Sequence, residues 1–278
     1  VIAHNVKDFQ LEDNQVAVLL VERDIDVLKV TADPLNHKWR ELFRNPFIKA
    51  FQLENYGTVT RVGLVVREKE RDILKIQEGL ASTRWKDVYQ AHSITAFQLA
   101  ANRIGVLSDS VDTFYVTING DRLCHYEHFA RLLIKQGHLD APFVKVREHR
   151  QSDTSYYPDT MISSFQLEGN RIAILERIDR NASVTYDVLE VQEGALPSTT
   201  WTDLFHTEVI KAFQLDGERI AVLWKSNSTN YDSLSIKEGS LSAPWFNVYT
   251  APTIKAFQLR GTRIVALLAE GLYFRQGF

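Results

Sequence analysis

The tripeptide Phe-Gln-Leu occurs six times along the 278 residues of this chain. The copies begin at Phe9, Phe51, Phe97, Phe165, Phe213 and Phe257. Successive copies lie 42, 46, 68, 48 and 44 residues apart. A period of this length is typical of folds that stack one supersecondary unit on the next. The sequence therefore predicts a tandem repeat with one irregular interval, after the third copy.

Each regular unit contains four short strand patterns, here named A to D. In residues 210–253, strand A (210–215) and strand B (219–224) flank Asp216-Gly217, a pair that favours a tight hairpin turn. Strand C (234–239) alternates apolar and polar residues, and strand D (245–249) follows a Ser-Ala-Pro turn. Four strands in about 45 residues predict an all-β fold, a β-propeller built of four-stranded antiparallel blades.

Six copies predict six blades in a single domain that spans residues 1–278. Residues 272–277 match strand C, so the sixth unit stops before its own strand D. Residues 1–9 resemble residues 88–97, which cover the end of one strand D and the next strand A. We therefore expect the N-terminal strand to close the last blade, which would remove the open sheet edges.

The third blade, at about residues 97–164, carries roughly 22 extra residues relative to its neighbours. Strand C fits either residues 115–120 or residues 132–137, and the second register aligns better with the other blades. That register leaves residues 108–131 as an insertion between strands B and C. The first register would instead leave half of a degenerate seventh blade. The following polar connection, residues 147–160, is also long, and long loops on one face of a scaffold are typical binding sites.

Composition excludes several classes of function. The formal net charge is −3 with both signs interspersed, so we expect no nucleic-acid partner. No run of about 18 apolar residues is present, so we expect no membrane insertion. The single cysteine, Cys124, provides no disulfide framework or paired metal motif. We expect no catalytic residues, no metal and no cofactor, and hence a non-enzymatic protein.

Two weak features favour a secreted or extracellular location. Asn181-Ala-Ser and Asn227-Ser-Thr match the acceptor motif for N-glycosylation. The chain begins at Val1 rather than at a methionine, which suggests a mature form or a domain cut from a longer protein.

Several polar and aromatic residues recur with the repeat. The glutamine of every triplet is either one of a ring of sugar-binding amides or part of an internal hydrogen-bond network. The network is favoured, because a ligand site rarely needs every blade to be identical whereas packing does. Arginines that open strand B and the Glu-Gly pairs that end strand C predict ion pairs between blades. Core packing between sheets is expected for four tryptophans, Trp39, Trp85, Trp201 and Trp245.

The candidate ligand-binding residues fall into two groups. Lys49, Lys211 and Lys255 stand two residues before a triplet, where they could form a basic entrance for an anionic ligand or pair with nearby acids. Aromatic and amide side chains suited to sugars occur in two irregular regions, and they are Trp224, Asn227, Tyr156 and Tyr157.

The repeated Leu-x-Val/Ile-x-Glu-Gly followed by Trp, alternating with Phe-x-Leu-x-Gly-x-Arg-Ile, resembles secreted propeller proteins of the tachylectin and tectonin kind. The resemblance implies carbohydrate binding at sites repeated around the ring. We therefore expect a lectin-like propeller with glycans as partners. The alternative is a protein-interaction or targeting module of a larger secreted protein or toxin, with a cell-surface or other protein partner.

Overall fold

The computed structural model describes residues 5–32, 38–56, 58–118, 121–151, 159–181, 184–196, 200–226 and 228–277. Every regular element within these ranges is a β-strand. No helix in the described ranges is long and apolar enough to cross a membrane.

Among the described residues the strands form six sheets, each in chain order. The first is β1 (Val6–Glu12), β2 (Gln15–Glu22), β3 (Ile25–Thr31) and β4 (Arg40–Asn45). The second is β5 (Ile48–Tyr56), β6 (Val59–Glu68), β7 (Arg71–Glu78) and β8 (Lys86–Ala91). The third is β9 (Ser93–Ala100), β10 (Arg103–Ile118), β11 (Asp121–Gln136) and β12 (Val144–Gln151). The fourth is β13 (Asp159–Glu168), β14 (Arg171–Asn181), β15 (Val184–Glu193) and β16 (Thr202–Thr207). The fifth is β17 (Val209–Asp216), β18 (Arg219–Lys225), β19 (Asp232–Glu238) and β20 (Phe246–Ala251). The sixth is β21 (Ile254–Arg260), β22 (Arg263–Leu268) and β23 (Leu272–Gln276).

The predicted A-to-D order is confirmed for five four-stranded sheets, and the sixth has three strands among the described residues. The hairpin turn between strands A and B forms as expected in the fifth sheet. Asp216 pairs with Arg219 across it, and Gly217 has a φ of 59°, in the left-handed region that glycine adopts readily. Val1–His4, the residues assigned to close the last blade, lie outside the described residues. Closure by an N-terminal strand stays a prediction.

Strand A contains a register shift two residues before each triplet. The shifted positions are Lys7, Lys49, Thr95, Ser163, Lys211 and Lys255. A bulge of this kind leaves one residue unpaired and turns its side chain away from the regular alternation. The bulge therefore explains why a polar residue recurs at this point of strand A.

Backbone contacts divide the chain into two compact units. The first comprises Val1–Asp112 and Arg131–Arg147, and the second comprises Thr113–Ala130 and Glu148–Phe278. In each unit the core lies between neighbouring sheets. Leu28 and Leu64 share one cluster in the first unit, and Leu234 and Ile264 share one in the second. The prediction of a single domain over residues 1–278 stays a prediction.

The extra length of the third sheet lies in β10 and β11, which have 16 residues each. Strand β9 pairs with β10 only as far as Asp109. The segment 132–136, favoured above as strand C, forms the end of β11. The segment 115–118 continues β10 instead. Residues 108–131, interpreted above as an insertion, are therefore mostly an extension of the B–C hairpin. Residues 119 and 120, between the two strands, lie outside the described residues.

Candidate functional site

The glutamine of the triplet connects strand A of one sheet to strand A of the next. Gln214 donates its side-chain N–H to the carbonyl of Leu259 at 2.9 Å and accepts the Leu259 backbone N–H at 2.7 Å. The same pair of bonds joins Gln10 to Leu53, Gln52 to Leu99 and Gln166 to Leu215. These four amides belong to the internal network predicted from the sequence, and their polar atoms are already bonded.

A second connection between sheets was not predicted. A buried aspartate in the first half of strand C accepts the backbone N–H of an isoleucine at or next to the first residue of strand A of the following sheet. The four pairs are Asp26 with Ile48, Asp72 with Ile94, Asp187 with Ile210, and Asp232 with Ile254, at 2.7–2.9 Å. The sequence signal for this contact was present, since each aspartate stands two residues before the leucine of strand C.

The candidate lysines lie beside these aspartates. Lys49 Nζ is 2.5 Å from an Asp72 oxygen, and Lys211 Nζ is 2.6 Å from an Asp232 oxygen. Both lysine side chains are partly exposed, whereas both aspartates are buried. Lys255 is exposed, and no ion pair links it to another residue of the described ranges. Lys49 and Lys211 therefore pair with nearby acids, the alternative to a basic entrance for an anionic ligand.

Burial by itself would raise the pKa of Asp72, and it is the largest single influence on that carboxyl. Hydrogen bonds from the Lys49 ammonium, the Ile94 backbone N–H and the Arg67 guanidinium act in the opposite direction and together lower the pKa below its usual value. Asp72 is therefore held as a carboxylate in the interior.

The arginine that opens strand B joins its own sheet to the next through a hydrogen bond to a backbone carbonyl. Arg61 Nη2 is 2.9 Å from Glu78 of the same sheet, and its Nη1 donates to the carbonyl of Ala101 at 3.1 Å. Arg171 likewise pairs with Glu193 of its own sheet and donates to the carbonyl of Gly217. The acids that these contacts bring to Arg61 and Arg171, Glu78 and Glu193, lie in the same sheet as the arginine, and a carbonyl provides the contact with the next sheet.

Two of the four recurring tryptophans, Trp85 and Trp245, pack between sheets as predicted. Trp85 lies edge-on to Phe43 of the preceding sheet at 5.1 Å and donates its indole N–H to the carbonyl of Leu42 at 3.3 Å. Trp245 makes the equivalent contacts with Phe205 and Leu204.

The candidate Trp224 also faces the interior. Its ring lies 5.7 Å from that of Phe205, and its indole N–H donates to the hydroxyl of Ser235 at 3.1 Å. Part of the ring remains accessible. The other aromatic and amide candidates, Tyr156, Tyr157 and Asn227, lie outside the described residues.

One buried acid breaks the repeat and was missed from the sequence. Glu176 in β14 is 2% exposed, and its carboxylate is 2.7 Å from Nε2 of His149 in β12. The matching positions in the second and fifth sheets are Val66 and Trp224. The contact between β12 and β14 is thus polar, whereas the matching positions of the second and fifth sheets hold an apolar and an aromatic side chain.

Each of the two compact units has a cleft on its surface among the described residues. One of about 300 Å³ lies along β4 in the first unit and is lined by Arg40, Arg44, Thr83 and Trp85 among others. One of about 550 Å³ lies in the second unit around Glu168, Arg171 and Glu193. Burial raises the pKa of Glu168, with a smaller contribution from the nearby charge of Asp216. Within the described part of the chain no three His, Cys, Asp or Glu side chains are grouped as metal ligands.

Comparison with solved structures shows the fold. The β-propeller domain of the Trilobed protease from Pyrococcus furiosus matches with a TM-score of 0.63 and 12% identity, over 98% of this chain and 83% of that one. The sheets are propeller blades. The AfRom2 CNH domain matches at a TM-score of 0.48 and 12% identity, over 98% of this chain and 81% of that one. No protein-family model and no curated protein matches the sequence.

Proposed function

We propose that this chain is a non-enzymatic binding module whose partner is a protein, and that the long B–C hairpin of the third blade is its contact element. The observation that carries the proposal is the length of β10 and β11, 16 residues each, where strands B and C of the fifth blade have seven residues each. Nine residues of β10, from Ser110 to Ile118, continue past the last pair with β9. At about 3.3 Å per residue they extend roughly 30 Å.

Two further features support a protein partner. The recurring polar side chains that could have formed repeated sugar sites are engaged in bonds between blades, as for Gln214 and Arg171. Pairing with a strand edge is also a common way in which a partner protein binds a β-hairpin. A rigid scaffold carrying one elaborated connection is typical of domains that bind through that connection.

The test is a variant in which residues 110–129 are replaced by Asn-Gly, so that Asp109 and Ala130 are joined by a short turn. We expect the variant to keep the β-rich circular dichroism spectrum and the cooperative unfolding of the original chain. Proteins captured by the original chain are purified and titrated individually against both chains by calorimetry. We expect the variant to have lost its affinity for them.

A matched control shortens the B–C loop of the fifth blade, residues 226–231, in the same way. This control should retain the partners. Undiminished affinity in the hairpin variant would refute the proposal, because the contact element would then lie elsewhere.

Carbohydrate binding is the second candidate, favoured by the cleft along β4. Trp85, Ser82, Thr83 and Arg40 are among the residues that line this cleft. An aromatic ring next to hydroxyls and amine donors suits the apolar and polar faces of a sugar. A glycan array with the original chain and with Thr83→Lys, which fills the cleft, tests it. Binding that persists in the variant would exclude this cleft as the sugar site. Secretion stays a prediction.

A further inference from the structure

The buried aspartate of strand C has two carboxylate oxygens that each need a hydrogen-bond donor. The donors differ from blade to blade. In the second blade Asp72 Oδ2 accepts from Ile94 and Lys49, and Oδ1 accepts from Arg67 Nη1 at 3.1 Å. Both oxygens of this carboxylate are bonded, and two cations share it.

The fourth blade fills the same position with an arginine. Arg177 donates from Nε to Asp187 Oδ1 at 3.0 Å and from Nη2 to Oδ2 at 3.3 Å. Arg67 and Arg177 occupy equivalent places, since each pairs directly with its aspartate across strands B and C. An arginine at this point of strand B thus completes the aspartate in the second and fourth blades, whereas in the first blade Val21 stands there and Lys7 bonds both oxygens of Asp26.

The fifth blade lacks this arginine. Lys225 stands in its place opposite Asp232, but no bond joins the two side chains. Asp232 Oδ2 accepts from Ile254 and Lys211, whereas Oδ1 is buried and accepts from no residue of the described ranges. Asp232 as a whole is 1% exposed. A buried carboxylate oxygen without a donor is costly, and such a group in a native structure calls for a ligand, an ion or a water.

In the second and fourth blades this position of strand B lies at the surface. The arginine side chains that fill it there remain 34% and 44% exposed, for Arg67 and Arg177 respectively. A guanidinium at this position thus binds the carboxylate with one edge while the rest faces outward. In the fifth blade an exposed aromatic, Tyr231, adjoins Asp232 in the chain and is 44% exposed.

We propose that Asp232 binds the guanidinium of an arginine presented by a partner protein, which takes the place that Arg67 and Arg177 hold in their own blades. Lys211 already supplies one ammonium to Oδ2, so the open donor position is at Oδ1. The planar guanidinium offers paired N–H donors that fit a carboxylate edge, and it is more weakly hydrated than an ammonium. The proposal rests on the proposed function, and it adds the chemistry of one contact outside the hairpin.

The test uses the full chain labelled with ¹⁵N-isoleucine and titrated with N-acetyl-arginine amide. The Ile254 backbone N–H bonds Asp232, so its NMR signal reports directly on that carboxylate. We expect a saturable shift of the Ile254 signal. The Ile94 and Ile210 signals, which report on aspartates already completed by arginine, should stay in place at the same ionic strength.

Two variants make the assignment specific. Lys225→Arg should supply the missing guanidinium from within the chain and weaken the response to the ligand at least tenfold. Asp232→Asn keeps an oxygen for Ile254 but removes the charge, and it should also abolish the response. N-acetyl-lysine amide, the matched control ligand, should give a smaller shift.

An Ile254 signal that does not move, or that moves together with Ile94 and Ile210, would overturn the proposal. Equal binding by the Lys225→Arg variant would do so too. These outcomes leave the hairpin experiment unaffected, because that experiment measures loss of a protein partner in a variant with Asp232 intact. Failure of the guanidinium contact and failure of the proposed function are therefore distinguishable.

Discussion

The side-chain amide of Gln52 hydrogen-bonds both backbone groups of Leu99, a residue 47 positions further along the chain. The amide N–H donates to the Leu99 carbonyl at 3.1 Å, and the amide oxygen accepts the Leu99 N–H at 2.7 Å. A side chain thereby extends hydrogen bonding from one blade into the next. Because strand A of each blade repeats the glutamine, the contact recurs along the chain.

Gln52→Leu should lower the free energy of unfolding by about 1–3 kcal/mol, since it removes two hydrogen bonds and leaves backbone groups of buried Leu99 unsatisfied. Urea unfolding followed by circular dichroism measures the change. The matched control is Gln258→Leu, because Gln258 is exposed in the sixth blade. Equal losses in the two variants would show that the bonds to Leu99 contribute little.

Asp72→Asn should destabilise the chain by about 2–3 kcal/mol at neutral pH, because the buried carboxylate accepts charged hydrogen bonds from Lys49 and Arg67. The folded-state pKa of Asp72 lies below the usual value of 3.8. Its contribution is therefore present above about pH 4 and is lost as the pH falls through the folded-state pKa.

Urea unfolding from pH 7 to pH 2.5 measures how the contribution of Asp72 to the free energy of unfolding changes with pH. The difference between Asp72→Asn and the original chain should shrink as the solution becomes more acidic. A difference that stays constant or grows toward low pH would contradict the assignment of a charged Asp72.

Trp85→Phe should cost about 1 kcal/mol, because phenylalanine keeps an aromatic ring against Phe43 but cannot donate to the Leu42 carbonyl. Trp39 provides a matched comparison. Its indole N–H is buried and has no acceptor among residues 5–277 as far as they are described. Trp39→Phe should therefore cost less than Trp85→Phe in thermal or urea unfolding, and the reverse order would contradict the role given to the Leu42 bond.

Gly63 in β6 permits the close approach of the next strand A. A Cβ at this position would lie 2.7 Å from a ring carbon of Phe97 and 3.2 Å from a methyl of Leu99. Gly63→Ala should cost about 1–3 kcal/mol, and Gly63→Val should cost more, because overpacking forces the ring to move. Differential scanning calorimetry of both variants tests the order. An unchanged melting temperature for Gly63→Val would show that the interface yields easily.

The repeat pattern was sufficient to predict the strands. Hydrophobic alternation and turn residues are local, so Asp216-Gly217 and the strands on either side of it could be assigned without any tertiary information. The packing of Trp85 and Trp245 was also predictable, since an aromatic residue recurring once per blade has a place only between sheets.

The polar contacts were harder to predict, because a sequence shows which residues recur but not which pairs meet. Glutamine was correctly assigned to an internal network, yet its partner, the Leu99 backbone, belongs to another blade. Arg61 was expected to pair with an acid of a neighbouring blade, and the acid proved to be Glu78 of its own. The four recurring aspartates went unnoticed, although their spacing was regular.

The sequence by itself determined the repeat, the four-strand unit and the absence of any obvious catalytic motif, because periodicity and turn chemistry act within a few residues. Only the tertiary structure decided which polar groups remain available for a ligand. Lys49 and Lys211 lie at a strand bulge that places them beside buried carboxylates. Asp232 keeps an oxygen without a donor, and Lys225 stands where the second and fourth blades carry arginine. Whether a polar group is free to bind a ligand depends on which residues, far apart in the sequence, lie next to it, and packing determines those contacts.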